Sequence, residues 1–192
     1  RSIVANPAQQ IGRLNLLPGD ERKRILVDWN QTQLDYDHHD TIPRAFERQV
    51  AAHPEQIALV VQGCALTYRD LNSRANQLSR FLIEKGLQPG QYVGVFCERS
   101  VEMVVSLLAI LKAGAAYLPL DPEYPQARIR YVVEDAKPPF IVTQSALVER
   151  LQDVPAELIA LDTIADALQS LAIDNVDVPL DASRPAYAIY TS

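Results

Sequence analysis

The chain of 192 residues is 48% hydrophobic and 22% charged, enough apolar material for one substantial core and too much for a disordered tail. A net charge of −6 and a pI near 5.0, with the arginines scattered along the chain, exclude the clustered basic surface that nucleic acid needs. The longest apolar run falls well short of the roughly 20 residues of a membrane span and no signal-peptide pattern opens the chain, so a cytoplasmic protein away from membranes is expected.

In chain order, residues 1–19 carry Asn6-Pro7, Gly12 and Pro18-Gly19 among irregularly spaced apolar positions and read as a tether. Asp20 is expected to cap a helix reaching Trp29, with Ile25, Leu26 and Trp29 on one face. His38-His39-Asp40 lacks a second ligand pair at metal-site spacing and reads as a solvated loop; no metal site is expected. Thr41 caps the next helix, with Pro43 in its first turn and Ile42, Ala45, Phe46, Gln49 and Val50 on one face, until His53-Pro54 ends it.

Residues 57–61 and 65–68 read as a hairpin turning at Gln62-Gly63. Leu71, Ala75, Leu78 and Leu82 then recur at helical spacing, Arg74, Gln77, Arg80 and Glu84 fill the opposite side, and Gly86 stops the helix. A buried strand is expected over 92–97. The run 101–111 is apolar nearly throughout and too long for a strand, which predicts a helix without a wet face, capped by Ser100. Lys112 suits the negative end of its dipole, and Gly114 takes the left-handed position that stops it.

A short strand over 115–120 meets Pro119, Pro122 and Pro125, which withdraw backbone donors and turn the chain. Ile129, Val132, Val133 and Ala136 mark the next helix; 140–143 is a strand, 146–151 a short helix and 158–162 a strand. Thr163 and Asp166 suggest a capping box before Ile164, Leu168 and Leu171. Residues 173–183 form an acidic loop, and 185–192 read as a strand running into Thr191 and Ser192. Cys64 and Cys97, in separate strands, read as small buried or half-buried residues and not as a disulfide.

This alternation predicts an α/β fold, a layered and mostly parallel sheet flanked by helices. Parallel sheets place ligands at the carboxyl ends of their strands, which draws attention to Thr191 and Ser192.

Three stretches carry a family resemblance. Residues 111–121, Leu-Lys-Ala-Gly-Ala-Ala-Tyr-Leu-Pro-Leu-Asp, running on from that Asp121 as Asp-Pro-x-Tyr-Pro and then Arg128-Ile129, resemble a core sequence of the adenylation domains of nonribosomal peptide synthetases, in the adenylate-forming, AMP-binding superfamily. Residues 66–71, Leu-Thr-Tyr-Arg-Asp-Leu, resemble a second core sequence in which glutamate is commoner than Asp70. Tyr190-Thr191-Ser192 resembles the opening of the phosphate loop Tyr-Thr-Ser-Gly-x-Thr-Gly-x-Pro-Lys-Gly. In that family the loop holds ATP phosphates through backbone N–H groups, hydroxyls and a lysine, and its glycines let the main chain approach the oxygens.

The resemblance implies an incomplete N-terminal core of the adenylate-forming fold. Residues 1–30 would be a connector after a condensation domain, and 31–192 the first part of an adenylation domain, truncated at the phosphate loop. The implied enzyme activates an amino acid with ATP and Mg2+ to an aminoacyl-adenylate and loads it on the phosphopantetheine of a downstream carrier domain. No catalytic residue is assigned; Thr191 and Ser192 are the candidate ATP-binding residues, and the isolated chain is expected to be inactive. An acyl-CoA or aryl acid ligase of the same superfamily and a non-catalytic α/β nucleotide-binding or interaction module are the alternatives.

Overall fold

The computed structural model describes residues 8, 10, 17–35, 37 and 39–191; Ser192, His38 and most of the expected tether lie outside the described residues. The chain falls into two units, 1–37 and 38–192.

In the first unit, helix α1 (Gly19–Leu26) starts after Pro18, whose carbonyl accepts the Arg22 N–H at 2.9 Å. Asp20 therefore sits inside the first turn, where it favours the positive end of the dipole, and is not the cap expected from the sequence. The helix also stops short of Trp29. A 3-10 turn, Asp28–Asn30, follows, and the Asn30 side chain donates to the Ile25 carbonyl at 2.7 Å. No residue of either element is buried.

The second unit opens with α2 (Ile42–Ala52), capped by the Thr41 hydroxyl accepting from the Arg44 N–H. Strands β1 (Ile57–Val61) and β2 (Cys64–Thr67) form the expected hairpin; both turn residues, Gln62 and Gly63, have positive φ, as a tight two-residue turn requires. Helix α3 (Tyr68–Glu84) is capped by Thr67 and ends before Gly86 at φ +100°. Helix α4 (Val101–Lys112), capped by Ser100, has no exposed residue, as its composition predicts, and ends at Gly114 with φ +74°.

Strands β3 (Tyr92–Phe96), β4 (Ala116–Pro119), β5 (Phe140–Thr143) and β6 (Glu157–Ala160) form one parallel sheet in the order β4-β3-β5-β6. Each inner strand has two apolar faces, which explains the unbroken apolar runs. Val93, Val95, Phe140 and Val142 meet α3 and α4 on one side, while Phe96 and Ile141 meet Ile129, Val132 and Val133 of α5 (Gln126–Ala136) on the other. Gly94 lies where no side chain fits, since a Cβ there would come within 2.8 Å of Ile141 Cγ1. Two 3-10 segments, Ser145–Leu151 and Leu161–Thr163, and helix α6 (Ala165–Gln169) complete the elements among the described residues. The capping box does not form: the Thr163 hydroxyl donates to the Ala160 carbonyl at 2.7 Å, and α6 starts without a side-chain cap.

One side-chain reading gains a partner and another changes. Lys112 is fully buried in the last turn and paired with Glu47 of α2, with Asn175 at 3.4 Å, so its charge ties two helices and a loop together. Burial pushes its pKa down, and the Glu47 carboxylate opposes that shift. Cys97 is buried and its thiol is pushed up to about 12, by burial first and then by Glu102, whereas Cys64, the residue directly after the Gln62-Gly63 turn, is exposed.

Candidate functional site

The chain must travel from α6, beside the β6 edge, to the opposite edge of the sheet before it reaches Thr191. Loop residues 171–175 make this crossing over α3. Gln77 donates to the Leu171 carbonyl at 3.1 Å, Asn76 to that of Ile173 at 2.7 Å, and Arg80 to those of Ala172 and Asp174 at 3.1 and 2.9 Å. Asn72 donates to Asn175 Oδ1 at 2.9 Å. The polar side of α3, which the sequence presents as a wet face, is thus a clamp for this strap. Farther on, Val178 fills the space beside Gly114, 3.2 Å from where a Cβ would stand.

The strap delivers the chain to β4. The Tyr117 N–H donates to the Ala186 carbonyl and the Ala188 N–H to the Tyr117 carbonyl, both at 3.1 Å, and Tyr117 and Tyr187 form a parallel bridge. The expected strand shrinks to that one bridge. Pro119 has no N–H to donate at the next ladder position, so the pairing cannot extend toward the carboxyl end. Parallel pairing still gives this segment the direction of β4, and Thr191 emerges exposed at the carboxyl ends of the strands.

At that end lies a cleft of about 710 Å³ whose lining includes Cys97 and Arg99 after β3, Asp121 after β4, and Ile189 and Tyr190. The strand ends beneath it are fixed by hydrogen bonds. The Thr143 hydroxyl donates to the Phe96 carbonyl at 2.8 Å, the Glu98 N–H to the Gln144 side chain at 3.0 Å, and the Leu120 N–H to the Val95 carbonyl at 2.9 Å.

Tyr190 is gripped from α5. Arg128 Nη2 donates to its carbonyl at 3.2 Å, Tyr131 meets its ring edge-to-face at 6.4 Å, and its hydroxyl donates to Asp135. That hydrogen bond to a carboxylate is the main reason the phenol is pushed up to about 12. The Arg128 guanidinium also lies 4.7 Å from the centre of the Tyr124 ring, and its buried Nε has no partner among the described residues. The sequence holds Arg128 only as part of a motif, and its contact with residue 190 depends on where the strap brings the chain.

The chain matches the family model "AMP-binding enzyme" over residues 46–192. It belongs to the AMP-binding enzyme family. Over its whole length it is 44% identical to chondramide synthase cmdD of Chondromyces crocatus and 41% identical to gramicidin S synthase 2 of Brevibacillus brevis, of which it spans 5% and 4%. It is also 41% identical, over 95% of its residues, to a dimodular nonribosomal peptide synthase of Bacillus subtilis (strain 168), spanning 8% of that protein. Among solved structures, the AMPPNP-bound form of the nonribosomal peptide synthetase FmoA3 aligns with a TM-score of 0.79 at 31% identity, over 89% of this chain and 18% of that one. This member of the AMP-binding family thus shares its α/β fold with peptide synthetase structures, and it spans only a small part of the curated relatives it matches.

The residues present suit a nucleotide phosphate in one respect, an exposed threonine hydroxyl at the carboxyl ends of parallel strands; the Arg128 side chain is engaged by Tyr190 and Tyr124 and is not part of the cleft lining. Among the described residues no three His, Cys, Asp or Glu side chains converge on one point. No helix among the described residues is long and apolar enough to cross a membrane.

Proposed function

We propose that this chain supplies the start of the ATP-phosphate site in an amino-acid-adenylating module of a nonribosomal peptide synthetase, with 1–30 as a connector following a condensation domain and 31–192 as part of the adenylation domain. The observation that carries this reading is the parallel bridge between Tyr117 and Tyr187, which aims Tyr190 and Thr191 at the carboxyl ends of the sheet. Thr191 and Ser192 would offer hydroxyls to phosphate oxygens. In the reaction, a carboxylate oxygen of the amino acid attacks the α-phosphorus of ATP and pyrophosphate leaves; the thiol of a carrier's phosphopantetheine then takes the aminoacyl group and releases AMP. The similarity to named peptide synthetases supports an amino acid as substrate and condensation and carrier domains as partners.

The work of this part of the chain is positioning. The strap and bridge set where the phosphate turn begins, so that donors meet the phosphates in an already fixed geometry. The test is amino-acid-dependent ATP–pyrophosphate exchange. Residues 1–192 alone should give none, because ordering Thr191 and Ser192 at a chain end costs about 1 to 2 kcal/mol of backbone entropy per residue, comparable with what a neutral hydrogen bond returns. A protein continuing through the whole phosphate loop and the rest of the domain should exchange, and Thr191→Ala in it should slow adenylation more than it weakens amino-acid binding. Robust exchange by 1–192 alone, or none by the complete domain with any proteinogenic amino acid, would overturn the proposal; exchange with aryl acids alone would move it to the aryl acid ligases.

A further inference from the structure

We propose that Arg128 is a positioning residue for the phosphate-binding turn, orienting the Tyr190–Thr191 peptide from α5 where the β4 ladder can no longer do so; this rests on the function proposed above. Three side chains on one face of α5, at positions i, i+3 and i+7, hold a single residue: Arg128 its carbonyl, Tyr131 its ring and Asp135 its hydroxyl. A residue held at backbone and side chain has little freedom left. The contact falls just beyond Pro119, where the ladder to β4 has stopped, and an arginine N–H serves a carbonyl two residues past the one that Pro119 leaves without a strand donor.

The peptide plane converts this contact into a direction. Because the peptide bond is planar and trans, the Tyr190 C=O and the Thr191 N–H point oppositely. An arginine that fixes the carbonyl toward α5 turns the Thr191 N–H away from that helix. This N–H is the first backbone donor of the turn that the sequence assigns to phosphate. The arrangement asks for arginine specifically. Its planar guanidinium stacks at 4.7 Å on Tyr124 while its Nη2 reaches Tyr190, and a lysine ammonium can do the second without the first. The guanidinium also brings a cationic side chain to the residue before Thr191, and its buried Nε has no partner among the described residues.

Two measurements test this. In the complete adenylating protein, Arg128→Ala should raise KM for ATP about tenfold, the loss expected for a charge-assisted hydrogen bond, with KM for the amino acid unchanged, and Arg128→Lys should recover only part of that loss. A merely structural role would lower kcat in proportion to the folded fraction and leave both KM values alone, and that result overturns the proposal. In residues 1–192, the Tyr190 carbonyl carbon, observed by NMR through the Thr191 N–H, should move upfield in Arg128→Met, a variant that keeps the bulk of the side chain and has no donor for that carbonyl. An unmoved resonance overturns the proposal even if Arg128→Ala does not fold. Absence of exchange in the wild-type protein would instead defeat the functional reading, and the carbonyl resonance would still decide whether Arg128 holds this peptide.

Discussion

Strand β3 and the segment 186–190 run parallel in the same sheet, yet they are held by different physics. Strand β3 is paired on both sides and covered on both faces: Val93 and Phe96 have no accessible surface and Gly94 leaves no room for a methyl group. Segment 186–190 has a single bridge, and Tyr187 and Ile189 are exposed. It is placed by directional contacts, the strap clamp before it and the α5 grip on Tyr190. Burial holds the centre of the sheet without regard to small changes in angle. Polar contacts hold the edge at defined angles, and that edge leads into the turn proposed to bind phosphate, which would need angular definition. Substitutions in the two regions should therefore fail in different ways.

The largest effect should come from Ile110→Asp on α4, where a fully buried side chain becomes an unpaired charge. Loss of the cooperative thermal transition and of near-UV circular dichroism is expected, since the cost of several kcal/mol is comparable with the whole stability of a domain. Next comes Glu47→Ala, which strands the buried Lys112 charge and should cost about 3 kcal/mol in chemical denaturation. Adding Lys112→Met should restore most of that loss, and failure of the double variant to recover would show that the pair contributes more than mutual neutralisation. Gly94→Ala should cost about 1 to 3 kcal/mol, because Ile141 has to move within a close-packed sheet.

At the edge the signature changes. Asp135→Asn should leave the melting midpoint nearly unaltered but lower the Tyr190 phenol from about 12 toward its ordinary 10.0, readable by ultraviolet titration. The folded value lies above the unfolded one, so the contribution of this hydrogen bond is whole below pH 10.0 and is lost as pH rises toward about 12. An unshifted titration would remove Asp135 from the grip. Smallest of all, Trp29→Ala should change stability by no more than about 0.5 kcal/mol, since that ring is 68% exposed.

The sequence reveals the same division. The helices, the hairpin turn and the strands of the parallel sheet are legible because apolar spacing, caps and glycine stops are local signals, and burial rewards the local pattern. What it conceals is polar and distant. Lys112 reads as a cation at a helix end because nothing nearby in the chain announces Glu47, 65 positions away. Gln77 and Arg80 read as solvent-facing because the carbonyls they hold lie more than 90 residues downstream. Pro119 does announce the end of the ladder, and its missing N–H could have limited the last strand to a bridge. The grip of Arg128 on Tyr190 has no such local sign.

The strap clamp also bears on how the chain is made. Asn72 waits for Asn175, a separation of 103 residues. At ribosomal rates of about 5 to 20 residues per second, α3 exists for roughly 5 to 20 seconds before its partner is synthesised. The face left open during that interval presents amides and a guanidinium, groups that water satisfies, while the apolar face can already close on α4. An apolar strap would have required an apolar face here, exposed for the same seconds to every other unfinished chain nearby. By making this long-range closure out of hydrogen bonds, the domain keeps its growing intermediate wettable until the segment that carries Thr191 arrives.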